Sequence, residues 1–206
     1  MKDQTTRDHI IEAADRLFYQ QGFEHTSFSH IAGAVQISRG NFYYHFKTKD
    51  EILEAVINKR LADRRMMLGQ WEIDGDTPVD RIQSFINILL VNKDKIQLYG
   101  CPIGTLSTEL AKLNHGAQEQ ANQLFTLFRS WLGRQFSLLG RDRDADVLAM
   151  HVLAHSQGVA TLANAFNDEA FIRQEVRQIS DWLAEIAGHC PKEQGQQQLS
   201  KKEQEK

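Results

Sequence analysis

Residues 38–51 read SRGNFYYHFKTKDE. Ser38 is a favoured helix N-cap, and Thr48 with Glu51 three residues on forms a capping box for another start, leaving room between them for about two turns of helix. Phe42 and Phe46 lie four apart and share one side of that short helix, where Ile37 and the preceding segment can cover them. The other side holds Arg39, Asn41, Tyr43, Tyr44 and His45, with Lys47 and Lys49 beyond its end. From Ser38 to Lys49 there are three cations and no carboxylate, although the whole chain of 206 residues carries a net charge of -3. A polar, planar, cationic face of this kind is suited to an anionic partner. Arginine and asparagine at a first helical turn are the types that read guanine and adenine edges, while tyrosine, histidine and lysine position a protein on phosphates. Gly40 fits the same reading, because a helix-interior glycine costs roughly 0.5–1 kcal/mol against alanine and close approach to a base pair is a reason to keep it.

Working outward, the pattern is helical. Prolines number three, alternating β-branched runs are scarce, and apolar residues return every three or four positions. Thr5 or Thr6 caps a first helix with Asp8 in its first turn and Ile10, Ala14, Leu17 and Phe18 on one face. It stops at Gly22, which places Phe23 against Phe18. Thr26 is expected to cap a short helix ending at Val35, with Phe28, Ile31, Ala32 and Val35 inward. A turn at Gln36 and Ile37 then leads to Ser38, so two short helices meet at a tight turn in the manner of a helix-turn-helix.

A fourth helix over about 50–70 has Ile52, Leu53, Val56, Ile57 and Leu61 on its apolar side and Arg60, Arg64 and Arg65 on its wet side. DGDTP at 74–78 closes it, and Thr77 with Pro78 opens the next. Longer helices follow over about 117–139, 144–166 and 168–187. After Pro191 the segment to Lys206 has one apolar residue, Leu199, and is expected to be disordered. The expected division is 1–49, the helix-turn-helix domain; 50–190, a larger helical domain; and 191–206, a tail.

With AADRLFYQQGFEHTSFSHIA leading into SRGNFYYHFKTKDEIL, residues 5–53 resemble the DNA-binding domain of TetR/AcrR-type transcriptional repressors. The resemblance implies an all-α homodimer in which three helices form a reading head, a fourth links it to an effector domain, and the last two long helices pair across a two-fold axis. It makes Thr26 an N-cap phosphate contact and Ser38, Arg39 and Gly40 the groove-facing start of the recognition helix, with Tyr43, Tyr44, His45 and Lys49 on phosphates. Gln36 departs from the family's frequent turn glycine. Each half of such a dimer reads one half of a roughly palindromic operator.

For the effector pocket the sequence offers Phe85, Leu89, Leu106, Phe125, Phe128 and Trp131 as walls, with His155 and Asn164 as polar anchors. Cys101, directly before Pro102, stands at a helix N-terminus where backbone amides favour the thiolate, and YGCPIGTLSTEL resembles the cysteine segment of electrophile-sensing members of the family. In the helix over 144–166, Ala154 and Gly158 permit close helix approach and Leu148, Val152, Val159 and Leu162 supply apolar contact, a pattern for the dimer seam. Ile172, Val176, Ile179 and Leu183 form the matching row on the last helix.

The expected function is a repressor released by a small-molecule effector. The alternatives are electrophile sensing through Cys101 and, more distantly, an enzyme using Cys101 with a histidine base. No catalytic set, metal site or cofactor is implied: nucleophile-elbow and phosphate-loop motifs are absent, and His151 with His155 lacks a third ligand. Two cysteines, no long apolar run and no leading signal segment point to a soluble cytoplasmic chain with no membrane partner.

Overall fold

The computed structural model describes residues 5–188, which form ten helices and no strand. These are α1 Thr6–Gln21, α2 Phe28–Val35, α3 Arg39–His45, α4 Lys49–Asp74, α5 Pro78–Val91, α6 Lys93–Tyr99, α7 Pro102–Lys112, α8 Gln118–Leu138, α9 Ala145–Phe166 and α10 Glu169–Gly188. The expected tail, and the last two residues of the expected second domain, lie outside the described residues. No described helix is long and apolar enough to cross a membrane.

Local chemistry sets most of the boundaries. Thr5 and Asp8 close a full capping box on α1, and the α1 exit is Gly22 at φ 89°, a conformation that disfavours side chains with a Cβ. Phe23 then meets Phe18 edge to face at 5.3 Å. Thr77 and Asp80 box the start of α5 with Pro78 in its first turn. Ser38 accepts from the Asn41 amide to start α3, and Thr48 accepts from the Glu51 amide to start α4. The expected Thr48–Glu51 box is only half formed, because the Glu51 carboxylate accepts from the Lys47 amide at 2.8 Å. The α4 helix also runs to Asp74, about one turn past its expected end, and the boundary expected at residue 49 falls in its first turn.

One expectation is corrected at α2. Its N-cap is Ser27, which accepts from the His30 amide, and not Thr26. Thr26 is only 1% exposed, and its hydroxyl donates to the Gly22 carbonyl at 2.6 Å, pinning the α1–α2 turn from within. The α2–α3 turn residue Gln36 is left-handed at φ 58°, the position where a glycine would be free of strain.

One apolar core runs from the α1–α3 head into the larger bundle. Phe42 and Phe46 close the head from beneath, while Ile52, Leu53, Val56 and Ile57 of α4 fill the junction. At roughly 1.5–3 kcal/mol for each fully buried large side chain, this continuity couples the head's stability to the bundle beneath it. In the bundle α8 packs along α9, α10 lies on α5 and α9, and α4 lies on α1 and α8.

The expected dimer seam is largely corrected. Leu148, Val152, Val159, Ile172, Val176, Ile179 and Leu183 are all buried within the chain, because α9 and α10 turn their most apolar stripes toward their own bundle. Ala154, Gly158 and Leu162 do face outward, and they belong to an exposed stripe with Val147, Met150 and Phe166, the last 75% exposed.

Candidate nucleic-acid interface and effector cavity

On α3 the division between faces is complete. Phe42 and Phe46 are buried, whereas Ser38, Arg39, Gly40, Asn41, Tyr43, Tyr44 and Lys47 are exposed, Tyr44 to 79%. The Tyr43 ring stands edge-on to Phe28 at 5.5 Å, and that packing fixes the direction of its hydroxyl. His45 is half-buried and meets the Tyr44 ring edge to face at 5.2 Å. Lys47 donates to the Tyr43 carbonyl and so sits over the C-terminal end of α3, where the helix dipole favours a cation. A Cβ built on Gly40 would meet nothing within 4 Å. Among the described residues, no neighbour requires a glycine there.

Lys49 is corrected. Its ammonium donates to the Phe23 and Glu24 carbonyls at 3.1 and 3.3 Å and lies 4.2 Å from the Phe23 ring centre, folded back on the α1–α2 turn. With Thr26 buried, the outward set is Ser38 to Lys47 on α3 and Ser27 at the head of α2.

A cavity of about 500 Å³ opens between α1, α4, α5, α6, α7, α8 and α9, within the ordinary range for small-molecule sites. Phe85, Leu89, Cys101 and Phe128 line it as expected. The other expected walls do not. Leu106 is buried core, and Phe125 packs at the core's edge. Trp131 stacks on Trp71 at 5.9 Å beside a separate hollow with Arg65 and Arg134. His155 pairs with Glu175 at 3.2 Å, and Asn164 donates to the Gln97 carbonyl at 2.8 Å, tying α9 to α6. His151 stacks on Trp182 at 4.6 Å, so the two histidines have different partners, and no metal-ligating cluster occurs among the described residues. Cys101 is half-buried and caps α7, its sulfur accepting from the Gly104 amide at 3.5 Å.

Several residues outside the expected set organise this cavity. Arg60, expected on the wet side of α4, is only 5% exposed; its Nε donates to Asp15 of α1 at 2.7 Å and its Nη1 to the Pro102 carbonyl at 2.6 Å. The Tyr19 hydroxyl lies 2.7 Å from the Gly100 carbonyl and 3.0 Å from that of Lys95. Burial, helped by the nearby Cys101 sulfur, pushes the Tyr19 phenol up to about 12. At the far end of α7 the Glu109 carboxylate accepts from the Phe23 and Glu24 amides, both at 2.9 Å. The α7 helix therefore begins in the cavity wall and ends holding the first turn of the head. Cues of this kind join residues more than forty positions apart, and no sequence spacing reveals them.

A short outward-facing recognition helix on a three-helix head, continuous through α4 with a cavity-bearing helical bundle, defines a one-component DNA-binding regulator. Residues 10–56 match the bacterial regulatory protein, TetR family, model, and residues 78–178 match the LmrA/YxaF-like transcriptional regulator C-terminal domain. The chain belongs to the TetR family of transcriptional regulators. It is 25% identical over 162 residues to the HTH-type transcriptional repressor DhaR of Mycobacterium sp. (strain GP1), spanning 74% of this chain and 79% of that protein. Over 53 residues it is 45% identical to the regulator AcrR of Shigella flexneri, 26% of this chain and 25% of that one. A crystal structure of a TetR transcriptional regulator from Legionella pneumophila superposes with a TM-score of 0.79 at 25% identity, covering 88% of this chain and 98% of that one.

Proposed function

We propose that the chain is a homodimeric repressor whose two α3 helices enter successive major grooves of a roughly palindromic operator, and that a small molecule in the cavity releases it. Arg39 and Asn41 read base edges from the first turn of α3, with Gly40 letting the backbone close on the groove. Tyr43, Tyr44, His45 and Lys47 set its position on phosphates, and Ser27 takes the helix-start contact in place of Thr26. The exposed stripe of α9 with Ala154 and Gly158 at its centre supplies the two-fold contact. The observation that carries the release step is that α1 of the head is itself a wall of the cavity, joined across it by Arg60, Tyr19 and, through α7, Glu109. A ligand that displaces α7 or α4 tilts the heads, which then no longer fit grooves about 34 Å apart. Footprinting on the DNA flanking the chain's own gene, repeated with a panel of small molecules, tests it. A protected palindrome lost on adding one compound is expected, and a monomeric chain that protects no DNA would end the reading.

A second reading is supported by Cys101, which faces the cavity from the α7 N-terminus: release by covalent modification of its thiol. Operator release by an electrophile that persists in Cys101→Ser would remove it. For the enzyme alternative, the histidine base is missing from the cavity lining, so the required pair is not assembled.

A further inference from the structure

The cavity is graded in polarity with depth. Phe85, Leu89, Phe128, Leu153 and Ala160 form a buried apolar floor, with the Phe85 and Phe128 rings in edge contact at 5.2 Å. Most of the cationic charge lies nearer the mouth, where Arg16 and Lys95 are exposed and Lys59 and Arg64 half-buried, while Arg60 is buried. The lining holds five cations, Arg16, Lys59, Arg60, Arg64 and Lys95, against three carboxylates, Glu12, Asp15 and Asp63. Asp63 is held by Lys59 at 2.7 Å and Asp15 by Arg60 at 2.7 Å, and Glu12 also has a partner. Arg64 instead rests its Nη1 on the Met67 sulfur at 3.8 Å, and among the described residues neither it nor Lys95 joins an ion pair. A cationic surplus at the mouth of a low-dielectric cleft concentrates anions, and a guanidinium presents the fork that a carboxylate fits. A neutral ligand would leave that surplus unanswered, and a cationic one would be repelled by it.

We infer that the cavity takes an amphipathic carboxylate, its aliphatic or aryl-alkyl body on the Phe85–Phe128 floor and its head group held by Arg64 at the mouth. The inference deepens, and rests on, the reading of this cavity as the effector site. Lys95 and Arg16 add long-range attraction, so binding weakens as ionic strength rises.

The test is isothermal titration of the full chain with octanoate and with 1-octanol, probes of equal length and different head group. Octanoate is expected to bind at least tenfold more tightly. In Arg64→Gln that preference falls below threefold, with 1-octanol binding little changed, while Arg65→Gln, outside the cavity, retains it. A folded chain that prefers 1-octanol, binds neither probe, or keeps the full preference in Arg64→Gln overturns the inference. Operator gel shifts separate this from the repressor reading. Release by neutral compounds alone leaves the repressor standing and sinks the carboxylate site; Arg64-dependent octanoate binding with no change in operator occupancy upholds the site and sinks its effector role.

Discussion

The Arg60 guanidinium lies 2.7 Å from the Asp15 carboxylate while also donating to the Pro102 carbonyl, so one buried side chain of α4 joins the reading head to the start of α7. Three helices that must move together, or against one another, for a cavity to influence α3 are thereby held at a single point.

Arg60→Leu is expected to destabilise the chain by about 2 kcal/mol. Leucine replaces part of the stem but leaves a carboxylate and a carbonyl without their donor. Loss of one partner from a fully buried pair costs about 3–5 kcal/mol, and Asp15 keeps enough contact with water to lessen that. Urea unfolding measures it, and a loss under about 0.5 kcal/mol would show the joint to be mechanically idle.

Glu109→Ala removes the acceptor for two backbone amides at the α1–α2 turn, at a cost of about 1–2 kcal/mol. Because that turn orients α2 and hence α3, operator affinity is expected to fall about tenfold with the recognition residues intact. Fluorescence anisotropy with a labelled operator reads this directly; unchanged affinity would mean that α7 grips the head without orienting it.

How much of this was legible depends on the range of the signal. The ends of α1, α3 and α5 are set by residues within four positions of one another, Thr5 with Asp8, Ser38 with Asn41, Thr77 with Asp80, and a linear sequence displays such pairs. At Thr26 and Ser27 two competent caps stand side by side, and only the Gly22 carbonyl, taken by the threonine, decides between them. Arg60 looks wet by periodicity, since its partners lie 45 and 42 residues away. On α9 there are two apolar stripes, and sequence cannot say which one its own chain covers. The outward polar face of α3 was legible because it sits on one short helix; most of the cavity lining was not, because it is assembled from seven.

On the reading head, Arg39→Ala is expected to change base preference as well as affinity, whereas Tyr44→Ala weakens all operators alike. Lys49→Ala is expected to leave the slope of log K against log salt unchanged, since its ammonium is engaged by the Phe23 and Glu24 carbonyls. A slope reduced by about 0.9 in Lys49→Ala would place that ammonium on a phosphate after all.

Gln36→Gly is expected to stabilise the chain by about 0.5–1 kcal/mol. A left-handed non-glycine residue costs about 1–2 kcal/mol, and the greater unfolded-chain entropy of glycine offsets part of the relief. Equilibrium urea unfolding of the two proteins decides it, and a destabilised variant would mean that the Gln36 side chain earns its place by contacts outweighing the strain.

Tyr19 gives a pH dependence whose sign follows from its surroundings. Its phenol is neutral in the folded chain up to about 12, against an ordinary value of 10.0, because burial beside the Cys101 sulfur opposes the phenolate and the neutral hydroxyl donates to the carbonyls before α7. Between those two values the unfolded chain has lost the proton and the folded chain has kept it, so stability is fully present below pH 10 and falls as pH rises toward 12. Since the ring is only partly buried, solvent screening limits the loss to about 1–2 kcal/mol. Other phenols and the lysines titrate in the same window, so the observable is a difference: Tyr19→Phe should be less stable than the parent at neutral pH, by the lost hydrogen bond, and the gap should narrow steadily above pH 10. Unfolding curves for both proteins at intervals from pH 8 to pH 11.5 measure it, and a gap that stays constant across that range would show the Tyr19 hydroxyl to titrate as freely as one in water.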